Sequence, residues 1–70
     1  LKNLQKYRQF AGITQKQMAD ELAVAGLKID PTMISHYERG IYSPSTKKAL
    51  AICAVLKSHN VDVTIEMLEA

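Results

Sequence analysis

Residues 28–40 read KIDPTMISHYERG, and how this stretch is read decides the fold. Asp30 is a residue type that caps a helix by accepting from its unpaired first-turn amides. Pro31 suits the first helical position, where no amide bond is lost. Gly40 supplies the residue that most easily turns left-handed and ends a helix. Between these signals Met33, Ile34 and Tyr37 share one side, so the spacing predicts a short helix over about 31–39 with that seam buried. Pro31, Thr32, Ser35, His36 and Arg39 then lie off the seam.

Upstream, Leu1, Leu4, Tyr7, Phe10 and Ala11 recur at helical spacing, with Gly12 where a left-handed cap would sit. Thr14-Gln15-Lys16-Gln17 has the form of a capping box, in which the Thr14 hydroxyl and the Gln17 amide satisfy otherwise orphan backbone groups. A second helix is expected to start there, with Met18, Ala19, Leu22, Ala23 and Ala25 inward and Gly26 as its stop.

Downstream, Ser43-Pro44-Ser45 opens a fourth helix with Ala49, Leu50, Cys53, Ala54 and Leu56 on its inner face, ending at His59-Asn60. Asp62 or Thr64 caps a last short helix carrying Ile65, Met67 and Leu68. Strand-like alternation is confined to Val61–Ile65, too short and isolated to build a sheet. The expectation is all-α: a compact bundle of four to five helices forming one domain over residues 1–70.

Composition narrows the function. Seventy residues at 47% apolar support one core and no second domain. The single cysteine, Cys53, rules out an internal disulfide framework, and no companion cysteines or well-spaced histidines predict a metal site. No apolar run approaches the roughly 18 residues of a membrane span, and the N-terminus lacks signal-peptide order. These features predict a cytoplasmic protein with no membrane partner. The chain opens on Leu1 rather than Met, which leaves room for flanking residues in a longer parent.

A formal charge of +2 diagnoses little, so its distribution matters more. Residues 1–19 hold Lys2, Lys6, Arg8 and Lys16 without an acid, and residues 41–59 hold Lys47, Lys48 and Lys57, again without one. Acids gather in the middle and at the end. Such segregation suits a basic face that meets a polyanion.

Two helices joined by a turn, the second short and polar outside, are what a helix-turn-helix reader of DNA requires. Hydroxyl, imidazole and guanidinium groups on the outer face of 31–39 are of a size to approach base edges. A threonine methyl also fits a thymine methyl. The same face is equally that of a solvated amphipathic helix. Helix N-termini attract phosphate, which makes Gln15 and Ser45-Thr46 candidate backbone clamps, with Lys16, Lys47 and Lys48 adding charge. Ser43 and Ser45 serve both as caps and as phosphate contacts.

These stretches resemble the Cro and phage-repressor type of helix-turn-helix protein, also called XRE-like. The residues that carry the resemblance are LKNLQKYRQFAGITQKQMADEL at 1–22, ISHYERGIYSP at 34–44, LAICAVL at 50–56 and, more loosely, VTIEML at 63–68. The resemblance implies sequence-specific binding of a double-stranded DNA operator by a repressor that pairs as a homodimer, at least on DNA. It puts the helix-turn-helix at about 14–40; separately, 61–70, with its apolar residues among acids, is a candidate pairing segment. The resemblance places a phosphate-binding glutamine at Gln15 and base readers at Pro31, Thr32 and His36. Proline donates nothing, so reading is expected to shift onto Thr32, His36 and Ser35. Arg8 and Glu38 match an ion pair that joins the first helix to the third. Arg39 lies beyond it, near the DNA backbone.

The turn departs from the family pattern. A helix-turn-helix usually turns in about four residues, whereas AVAGLKID intervenes here. Either helix 2 gains a turn, or the loop bulges outward with Lys28 at its tip; Ile29-Asp30 stands in for an inward residue and a cap. Two other readings are an interaction or oligomerisation module that keeps the fold, and an antitoxin that binds a toxin as well as DNA. Catalysis is not expected: His36, His59, Cys53 and the serines form no triad. No cofactor is implied.

Overall fold

The computed structural model describes residues 1–70. Five helices follow one another: α1 (Leu4–Ala11), α2 (Gln15–Val24), α3 (Pro31–Glu38), α4 (Thr46–Ser58) and α5 (Ile65–Glu69). There is no strand, and no helix is long and apolar enough to cross a membrane. Each of the last four helices begins at a polar side chain that accepts from the third amide of the helix. Thr14 accepts from Gln17, Asp30 from Met33, Ser45 from Lys48 and Thr64 from Met67. At Thr14 the capping box is complete, because the Gln17 side chain accepts from the Thr14 amide at 2.8 Å.

The first four helices stop in one way. After the last turn a residue with positive φ, Gly12, Gly26, Gly40 or Asn60, lets the next amide reach back to a carbonyl in the final turn. At Gly26 the pair is Leu27 N to Leu22 O at 2.9 Å and Gly26 N to Ala23 O at 3.0 Å. Asn60 does the same at φ 66°, a backbone that asparagine tolerates better than other side-chain-bearing residues.

The lengthened turn is therefore partly helix and partly extended chain. α2 runs on to Val24, the cap closes on Gly26, and residues 27–30 lead into Asp30. Ile29 is buried in this segment while Lys28 stays exposed, so the turn is anchored from within.

The core collects Leu4, Met18, Leu22, Ile34, Ile52, Leu56 and Leu68, all without exposure, and draws on every helix. Burying each such side chain contributes about 1.5–3 kcal/mol, an upper figure because unfolded chains are partly compact. Asn3 ties the ends together. Its backbone amide donates to Leu68 O at 2.9 Å and its side chain donates to Met67 O at 3.1 Å and to Ala70 O, giving the last carbonyls of α5 a partner.

The inner faces differ from expectation in several places. Phe10 is 68% exposed, because it falls six residues beyond Leu4 and off the stripe shared by Leu4, Tyr7 and Ala11. Its ring packs edge-on against Tyr7 at 5.9 Å. Ala23 is exposed over a cleft beside the turn, and Ala25 lies beyond the last helical residue of α2. In α4 the buried stripe is Ala49, Ile52, Val55 and Leu56; Leu50 and Ala54 face outward and Cys53 is half-buried. Met67, in the middle of the short α5, is 38% exposed.

Candidate nucleic-acid interface

α3 has two different sides. Ile34 and Tyr37 are buried and Met33 packs against the same core, while Pro31, Thr32 and Arg39 are exposed. Ser35 and His36 are half-buried at the edges of the outer face. Pro31 at the first position removes one donor, and Asp30 engages the amide of Met33, so the Thr32 amide is the one left open at this N-terminus.

The C-terminal end of α3 is fixed by a part-buried polar cluster. Arg8 Nε donates to Glu38 Oε2 at 2.6 Å, with side chains only 11% and 5% exposed. A second Arg8 nitrogen donates to Glu38 Oε1 at 3.4 Å and a third to the Ile13 carbonyl at 2.8 Å. Gln15 Nε2 donates to Glu38 Oε1 at 2.9 Å. Desolvating such a pair costs about as much as the attraction returns, so the cluster chiefly fixes how α1, α2 and α3 meet. The Gln15 contact was not visible in the sequence: it joins the first residue of α2 to the last of α3. One of the two hydrogens on the amide that the resemblance assigns to phosphate is thus used within the protein.

The N-termini of α2 and α4 present backbone donors. With Thr14 and Ser45 occupying the third amides, those of Gln15 and Lys16 in α2, and of Thr46 and Lys47 in α4, have no intrahelical partner. The partial positive charge at these ends favours an anion. Ser43, Ser45, Thr46 and Lys47 are exposed and Lys48 is half-buried. Lys16 Nζ lies 3.2 Å from Asp20, one turn along the same helix, in an exposed pair worth little in water.

Tyr42 is the residue at this surface that sequence reasoning missed. It follows the Gly40 stop, is 54% exposed, and sets its ring 5.3 Å from that of His36 at a 60° tilt. Its neighbour Ile41 is also exposed, so the chain leaving α3 carries apolar groups beside the polar outer face. The signal was an aromatic residue just past a helix stop, which has no periodicity to reveal it.

Two other reactive side chains belong to the framework. Burial pushes the Cys53 thiol up from its ordinary value of 9.0, with its own backbone acting weakly in the other direction, so it stays a thiol at neutral pH. His59, the last cap of α4, holds its Nε2 2.9 and 2.8 Å from the two carboxylate oxygens of Glu21 and ties α4 to α2.

A family model for helix-turn-helix domains matches residues 4–59, from the start of α1 to the cap of α4. No curated protein and no solved structure gives a significant match. The matched region spans α2 and α3, the Arg8–Glu38–Gln15 cluster and the supporting α1 and α4. The chain belongs to the Cro and phage-repressor type, XRE-like family of helix-turn-helix domains, a family of DNA-binding transcription regulators.

Proposed function

We propose that the chain binds double-stranded DNA sequence-dependently, as the DNA-binding part of a prokaryotic or phage repressor, with α3 lying in the major groove. The observation that carries this reading is the division of α3. Ile34, Tyr37 and Glu38 are held by the core and by α1 and α2, while Thr32 and Arg39 are exposed and make no side-chain hydrogen bond or ion pair within the protein. Thr32, Ser35 and His36 contact base edges, and Pro31 contributes only apolar contact. Lys16, Arg39, Ser43, Ser45, Thr46, Lys47 and Lys48 lie along the DNA backbone. At Gln15 the phosphate contact passes from the side chain to the backbone amide.

Two copies bind half-sites about 34–36 Å apart as a symmetric pair. The 61–70 segment contributes to the pairing through Met67 and Ile65, the apolar groups of α5 that are not fully buried. The protein works in the cytoplasm on nucleoid DNA. Fluorescence anisotropy of a labelled duplex over a salt series tests the reading. The logarithm of affinity should fall linearly with that of salt, and more gently in a Lys47→Ala/Lys48→Ala variant. Salt-independent binding, or none, would overturn it.

A further inference from the structure

His36 Nδ1 is the one buried side-chain nitrogen or oxygen without a hydrogen-bond partner, whereas Nε2 of the same ring is not sealed in this way. The ring is held on α3 with Tyr42 beside it at 5.3 Å. A neutral imidazole carries its proton on one nitrogen and a lone pair on the other. A proton on Nδ1 would be a buried donor without an acceptor, and orphaned N–H groups are rarer in folded proteins than under-satisfied acceptors. A lone pair on Nδ1 leaves the weaker deficit inside and places the N–H at the surface.

We infer that His36 is locked in the Nε2–H form and reads the major groove as a hydrogen-bond donor, selecting guanine at the base pair it faces. This rests on the proposal that α3 lies in that groove. A lone donor finds two neighbouring acceptors, N7 and O6, only on guanine. Adenine sets a donor beside its N7, thymine offers O4 next to a methyl group, and cytosine presents a donor that repels it. Discrimination against cytosine at that position is about fivefold, the low end of what a base contact supplies, because one donor makes half of a bidentate pair. Thr32 and Ser35, whose hydroxyls both donate and accept, carry no such restriction.

Two measurements test the inference. Long-range proton–nitrogen correlation spectra of the free protein, recorded over a pH series, report the tautomer of the neutral His36 ring without DNA. The Nε2–H form is expected, and a dominant Nδ1–H form or an even mixture would overturn the inference. The second is selection of bound duplexes from a random pool by wild type and by His36→Gln, whose amide both donates and accepts and so matches adenine. One position should change from guanine to adenine while the others hold. If wild type selects a site in which no position responds to His36→Gln, the donor role fails while the groove reading stands. If wild type selects no site, both fail.

Discussion

Gln15 Nε2 donates to Glu38 Oε1 at 2.9 Å, joining the first residue of α2 to the last residue of α3. The two helices of the helix-turn-helix are thus fixed at ends remote from the turn that connects them. Arg8 holds the other carboxylate oxygen from α1. A longer turn is tolerated because the docking of α3 is set by this cluster and by the buried Leu22, Ile29 and Ile34.

Glu38→Ala should be among the most damaging single changes. It leaves the Arg8 guanidinium nearly buried without its anion and Gln15 without its acceptor. The expected loss is about 3–5 kcal/mol, a large part of the stability of so small a domain. Glu38→Gln retains an acceptor and should lose less. Urea denaturation compares them, and equal stability of Glu38→Ala and wild type would show that the cluster does not hold the helices together.

The turn should be sensitive at its cap and not in its length. Gly26 has φ +93° with nothing within 4 Å of where a Cβ would stand, so the cost of Gly26→Ala is conformational alone. It should destabilise by about 1–2 kcal/mol. Thermal melts read this directly; an unchanged midpoint would mean that the chain at Gly26 does not adopt this turn.

The register of α4 gives a sharp contrast between neighbouring residues. Ile52→Ala opens a cavity in the core and should cost about 2–5 kcal/mol. Leu50→Ala, at a position 56% exposed, should stay within about 0.5 kcal/mol of wild type. The reverse order in chemical denaturation would mean that α4 is rotated.

Tyr37 makes stability depend on alkaline pH. Burial raises its phenol above the ordinary value of 10.0, so the folded chain holds the proton longer than the unfolded one. Its contribution is complete below about pH 10 and declines as pH rises through the folded value. The stability of wild type relative to Tyr37→Phe should therefore fall above that pH. Parallel curves would show that the phenol is not desolvated.

The parts of the fold legible in the sequence were those that local chemistry decides. Thr14, Asp30 and Ser45 announce helix starts because only a short polar side chain can satisfy a first-turn amide, and Gly12, Gly26 and Gly40 announce stops. The seam of α3 was legible because polar residues surround Ile34 and Tyr37. The phase of α4 was not, since LAICAVL is apolar all round and nothing polar marks its outer side. Phe10 misled for a related reason: it sits one residue before Ala11, which does face inward. In the candidate interface the outer residues of α3 followed from its seam. The Gln15–Glu38 bond and the approach of Tyr42 to His36 depend on tertiary placement, which no local pattern encodes.

The most direct test of the central claim is in vitro selection of bound duplexes from a random pool, by wild type and by Thr32→Ala. Wild type should enrich one two-fold symmetric site with half-sites about one helical turn apart, and Thr32→Ala should relax preference at one position per half-site, by a factor matching about 1–3 kcal/mol. Recovery of the unselected pool by wild type, or identical sites from both proteins, would contradict it.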